Sequence, residues 1–141
     1  MTIAIDFDGT IVEHRYPHIG QEIPFATDTL KLLLKEGHRL ILWSVREGDL
    51  LDEAVAWCRE RGVEFYCANC DYPEEKSTDE SFSRKLKVDL FIDDRNLGGL
   101  PDWGVIYQMI QSGDPFKPWS GEGIADGQES SSKPSKRRRW F

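Results

Sequence analysis

The stretch TIAIDFDGT, residues 2–10, drives an apolar run into two aspartates separated by one phenylalanine, then turns at once on a glycine. Alternate residues of a strand point to the same side. Asp6 and Asp8 are therefore placed to meet at one site, at the strand's carboxyl end, where open α/β sheets bind their ligands. Acidic residues and glycine are also common wherever strands stop. The rest of the chain has to decide between a turn and a site.

Outward from this stretch the pattern alternates. A loop with Pro and Gly at 13–24 leads to residues 27–36, where Leu30, Leu33 and Leu34 stand at helical spacing with Gly37 as a stop. RLILWS (39–44) reads as a second strand with a polar end. Residues 50–61 read as a second helix, capped by Asp49, with Leu51, Ala54, Val55 and Cys58 as its apolar stripe and Gly62 just past its end. VEFYCA (63–68) reads as a third strand, followed by a polar loop at 69–83. VDLFIDD (88–94) reads as a fourth strand that again ends in two carboxylates. WGVIYQMI, opened by Asp102, reads as a helix, with a short strand as the alternative. Such alternation predicts an α/β fold: a doubly wound, mostly parallel, Rossmann-like sheet with helices on both faces. Asp6, Asp8, Ser44, Asp93 and Asp94 then fall on one sheet edge and read as a site.

At 141 residues the chain is long enough for one domain with a real core. No apolar run approaches the ~18–20 residues that span a bilayer. Asp6 also interrupts the first apolar run, unlike a signal peptide. A cytoplasmic protein with no membrane partner is the expectation. A net charge of −7 argues against general affinity for nucleic acid. The exception is KRRR (136–139), which follows the polar stretch GEGIADGQESSSKPS. Its composition divides the chain into a core at 1–119 and a tail at 120–141 that reads as disordered. The basic cluster reads as a solvated end, with an anchor for an acidic surface or nucleic acid as the alternative. Cys58, Cys67 and Cys70 are odd in number, and the single CxxC lacks a second ligand pair at zinc spacing. His14, His18 and His38 supply none, so the cysteines read as incidental reduced thiols.

DFDGT, with Asp6, Asp8 and Thr10, resembles the first motif (DxDxT) of the haloacid dehalogenase-like phosphohydrolases. LILWS ends in Ser44, where that family carries a Ser or Thr after a hydrophobic strand. Lys85, in SRKLKVD, falls where its lysine is expected, and FIDD (91–94) resembles its acidic fourth motif. The resemblance covers residues 1–111 and is nearest to small members without a cap domain.

This resemblance implies a phosphatase working through an aspartyl-phosphate. Asp6 would be the nucleophile, and Asp8 the general acid and then the base. Mg²⁺ would be held by Asp6, the Asp8 backbone carbonyl and Asp93, with Asp94 bound directly or through water. Ser44 and Thr10 would meet the phosphoryl group, and Lys85 would neutralise it, with Lys87 as a competing choice. Arg46 stands as a second phosphate ligand or as a solvated arginine. Without a cap, the site would take a macromolecular end, or a small phosphorylated substrate covered by a neighbouring subunit of a homo-oligomer. Two other classes stay open: a receiver-type phospho-acceptor, and a module that binds phosphate or metal without turnover.

Overall fold

The computed structural model describes residues 1–117, so the expected tail at 120–141, with its basic cluster, lies outside the described residues. The elements run β1 (Thr2–Ile5), α1 (Ala26–Lys35), β2 (Arg39–Leu42), α2 (Gly48–Glu60), β3 (Cys67–Ala68), β4 (Leu90–Ile92) and α3 (Trp103–Gln111). All strand pairs are parallel, and the sheet order is β3-β2-β1-β4. The expected α/β class and parallel, Rossmann-like sheet hold. No separate cap stands among the described residues, and no described helix is long and apolar enough to cross a membrane.

Topology places the site. The chain winds outward from β1 to β2 and β3, then returns across the sheet to lay β4 on the other side of β1. The winding reverses between β1 and β4, and a crevice opens at such a switch point beyond the strands' carboxyl ends. Both carboxylate pairs emerge there. The ladder continues past the formal strand ends: Asp6 N donates to the carbonyl of Ile92 at 2.9 Å, and Trp43 N to that of Ile5 at 2.8 Å.

Helices cover only one face, which corrects the expectation of helices on both. Ile3, Ile5, Leu40, Leu42 and Ile92 pack in one core with Leu30 and Leu33 of α1, Ala54 and Cys58 of α2, and Trp103, Ile106 and Ile110 of α3. The alternate residues Ala4 and Ile41 pack instead with Leu86, flanked by Trp43, Cys67, Val88 and Phe91. That second cover is the non-helical connection at 69–89. It is held by its own polar bonds: Lys87 N donates to Asp71 at 2.7 Å, Asp71 N to Glu75 at 2.9 Å, and Lys76 N to Asp79 at 2.9 Å.

Two local expectations change for identifiable reasons. β3 is shorter than 63–68 because Val63 N is taken by the end of α2, donating to the Cys58 carbonyl at 2.9 Å; pairing resumes only at Tyr66, whose N donates to Leu40 at 2.8 Å. Asp49 does not cap α2: Glu47 holds the cap position without a side-chain bond, and Asp49 sits in the first turn, where its charge suits the helix dipole. The loop at 13–24 is ordered as a flap. Val12 pairs antiparallel with Glu22, Glu13 N donates to Gln21 at 2.7 Å, and Ile23 N to Ile11 at 2.9 Å. The ambiguous stretch after Asp102 is a helix, and its buried Trp103 donates Nε1–H to the Thr10 carbonyl at 3.0 Å.

Candidate active site

Asp6, Asp93 and Asp94 each offer an oxygen within 4.8 Å of the others. Three carboxylates this close oppose one another's ionisation. Burial first, then the hydrogen bond with Asp94 and the charge of Asp93, push the Asp6 carboxyl from 3.8 up to about 7. Thr10 ties the two strand ends together. Its hydroxyl lies 3.3 Å from both Asp6 and Asp94 carboxylate oxygens and accepts from Asp94 N at 3.1 Å. Fully buried and so engaged, Thr10 is a positioning residue, which corrects its assignment to the phosphoryl group.

Gly9 makes the close approach of the two strand ends possible. Its φ is +86°, and a Cβ there would stand 2.8 Å from Asp94 Cγ. Gly9→Ala is expected to cost at least about 1 kcal/mol in urea unfolding, from the left-handed backbone and the displaced Asp94 together. An unchanged unfolding midpoint would show that the turn relaxes freely.

Asp8 is held differently. Arg46 grips it with two parallel bonds, Nε to Oδ2 at 2.7 Å and Nη2 to Oδ1 at 2.8 Å. Arg46 is 0% exposed. Its remaining N–H groups donate to main-chain carbonyls: Pro17 at 3.1 Å, His18 at 3.0 Å and Leu50 at 3.5 Å. A guanidinium has five N–H donors, and all are spent. The bonds to Asp8 raise its pKa further. This corrects both readings of Arg46, as a phosphate ligand and as a solvated arginine. It is a buried clamp that joins Asp8 to the flap.

The strand-end loop after β2 is braced by Asn69, a residue sequence reasoning missed. Ser44 N donates to Asn69 Oδ1 at 2.8 Å, and Asn69 Nδ2 donates to the Arg46 carbonyl at 3.3 Å. Asn69 has φ +56°, a conformation Asn tolerates better than most side chains, and it directly follows β3. An asparagine just past a strand end was the available signal. Ser44 Oγ accepts from Arg46 N at 3.1 Å and is half-buried, so it keeps a hydroxyl proton to offer.

Lys85 is not ion-paired with any of the four carboxylates; its Nζ stands 5.8 Å from the Phe91 ring centroid. Lys87 donates Nζ–H to the Ser81 carbonyl at 2.6 Å, and neither lysine forms an ion pair with the cluster. The cavity at the switch point, about 390 Å³, is lined by Asp6, Asp8, Asp93, Val45, His14, Tyr16 and Arg95. His14 and Tyr16 come from the flap. They and Arg95 carried no motif signal, because loops rather than strand periodicity bring them there. The three cysteines are free thiols, and burial pushes those of Cys58 and Cys67 well above the ordinary range.

The donor set fits a hard divalent cation such as Mg²⁺. It consists of carboxylate oxygens only, the ligand type such a cation takes, and burial with the neighbouring Asp94 and Asp93 raises the Asp6 pKa. Asp8 differs, because both its side-chain oxygens face Arg46, leaving the main-chain carbonyl as its means of holding a cation.

Fold and site together define an α/β protein with a carboxylate centre at the switch point of a parallel sheet. No family model matches the chain, and no curated protein does. Among solved structures it is similar to a conserved protein from Bacteroides thetaiotaomicron, with 70% identity over 84% of this chain and 98% of that one, at a TM-score of 0.76. The chain belongs to the same family as that protein.

Proposed function

We propose that the chain is a Mg²⁺-dependent phosphomonoester hydrolase that works through an aspartyl-phosphate on Asp6. The observation that carries this reading is the convergence of Asp6, Asp93 and Asp94 at the switch point, with Asp8 in the same cavity. The resemblance of DFDGT and FIDD to the phosphohydrolase motifs supports it.

Asp6 attacks phosphorus and the ester oxygen leaves, dividing one difficult displacement into two easier ones. Asp8 exchanges a proton with the leaving oxygen and then with the attacking water. The Arg46 fork fixes where Asp8 stands, and each of its oxygens retains a lone pair for that exchange. Ser44 offers a hydroxyl to a phosphoryl oxygen. Mg²⁺ held by Asp6, Asp93 and Asp94 would supply charge neutralisation. A cavity of about 390 Å³ suits a small ester. Exclusion of water then falls to the flap and, in this reading, to a neighbouring subunit.

A phosphate-release screen across small phosphomonoesters tests the proposal. Steady turnover is expected with Mg²⁺, none in EDTA, and recovery on adding Mg²⁺ back. Undiminished activity in EDTA would remove the metal from the reaction. A single stoichiometric phosphorylation without release would point instead to a phospho-acceptor module.

A further inference from the structure

An aspartate that attacks a phosphate brings two anions together beside two more carboxylates, so a cation has to face the incoming group. The basic residues singled out by motif are committed elsewhere. Arg46 has spent its five donors, Lys87 is bonded to Ser81, and Lys85 lies over Phe91.

Arg95 is placed otherwise. Its backbone N donates to Asp93 Oδ1 at 2.9 Å, which fixes the turn directly after the acidic pair. Arg95 lines the cavity with Asp6, Asp8 and Asp93, yet its side chain forms no hydrogen bond or ion pair among the described residues. Among those residues it is the one arginine or lysine in that lining. An exposed arginine that shares a cavity wall with three aspartates and is bonded to none of them through its side chain is free to take an anion from solution. Its planar fork matches a phosphoryl group in two parallel bonds.

We propose that Arg95 is the substrate-binding cation of this site and receives the phosphoryl oxygens as the ester docks. The proposal rests on the phosphomonoesterase reading, and its test is chosen so that the two can fail separately. Inorganic phosphate is the probe, titrated calorimetrically with Mg²⁺ present, alongside steady-state kinetics on p-nitrophenyl phosphate. Charge-assisted bonds of this kind predict that Arg95→Ala weakens phosphate binding about tenfold to a hundredfold and raises KM by a similar factor, with a smaller change in kcat. Arg95→Lys should recover part of the loss. Mg²⁺ affinity should stay near wild type, because the bond to Asp93 comes from the backbone and survives substitution.

Unchanged phosphate affinity and KM in Arg95→Ala would overturn the proposal while leaving the hydrolase reading intact. So would a parallel loss of Mg²⁺ binding, which would make Arg95 a brace for Asp93. Arg95-dependent phosphate binding in a protein that releases no phosphate from any ester would sustain the proposal and remove the hydrolase reading. A wild-type protein that neither binds phosphate nor turns over would remove both.

Discussion

Asp6→Asn is expected to reduce phosphate release to background and, without divalent cation, to raise the melting temperature at neutral pH. The first effect follows from the proposed role of Asp6 as nucleophile: an amide cannot form the aspartyl-phosphate. The second follows from linkage. The Asp6 carboxyl titrates near 3.8 when unfolded and at about 7 when folded, pushed up by burial, by Asp94 and by Asp93. The folded state therefore holds this proton more tightly than the unfolded state. Its contribution to stability is complete below pH 3.8, falls as the pH rises, and is lost above pH 7. Asparagine carries no charge and escapes that loss. The variant's advantage should be greatest near pH 8, shrink on acidification and vanish near pH 4. Saturating Mg²⁺ should reverse the order, because wild type keeps the extra anionic ligand. Thermal unfolding from pH 4 to 8, with and without Mg²⁺, measures all of this. A gap that does not change with pH would mean that Asp6 is not the strained carboxylate of the cluster.

Arg46→Met should be the most destabilising substitution at the site. It removes a guanidinium that is 0% exposed and strands Asp8, itself only 7% exposed, without its two bonds at 2.7 and 2.8 Å. Breaking a buried pair from one side typically costs about 3–5 kcal/mol. That is a large part of the ~5–15 kcal/mol that holds most domains folded. The flap also loses its bonds from Arg46 to Pro17 and His18. Arg46→Lys should rescue little, because an ammonium cannot make the fork. The double variant Arg46→Met, Asp8→Leu should recover part of the loss, since no carboxylate is then left stranded. Urea unfolding of the three variants measures this. A loss below about 1 kcal/mol in Arg46→Met would show that Asp8 finds another partner or solvent.

Much of this architecture is legible in single residues. The apolar run before Asp6 marks β1, Gly37 and Gly62 mark two helix ends, and the i, i+2 spacing of Asp6 and Asp8 points to one edge. The convergence of Asp6 with Asp93 and Asp94 follows from both pairs standing at parallel strand ends. What stayed hidden depends on partners distant in the chain. Nothing near Arg46 announces that Asp8, 38 residues earlier, would absorb it. The lysine spacing in SRKLKVD is regular, yet the connection carrying Lys85 runs along the sheet face and leaves it over Phe91. A polar segment such as 69–83 also gives no warning that its continuation supplies Leu86 as the core of a face without helices. His14, Tyr16 and Arg95 belong to a cavity wall made by loops, where no periodicity operates.

The manner in which Arg46 holds the flap bears on redesign. It bonds the main-chain carbonyls of Pro17 and His18 and also faces the Tyr16 ring, whose centroid lies 5.3 Å from the guanidinium carbon. The two main-chain bonds do not read residue identity, whereas the contact with the Tyr16 ring does. The outward positions 14 and 18 can therefore be diversified in a library, with an aromatic ring kept at 16, while the scaffold beneath them stays in place. Position 14 lines the cavity mouth, so the wall facing a ligand can be altered from the flap without disturbing the carboxylate centre.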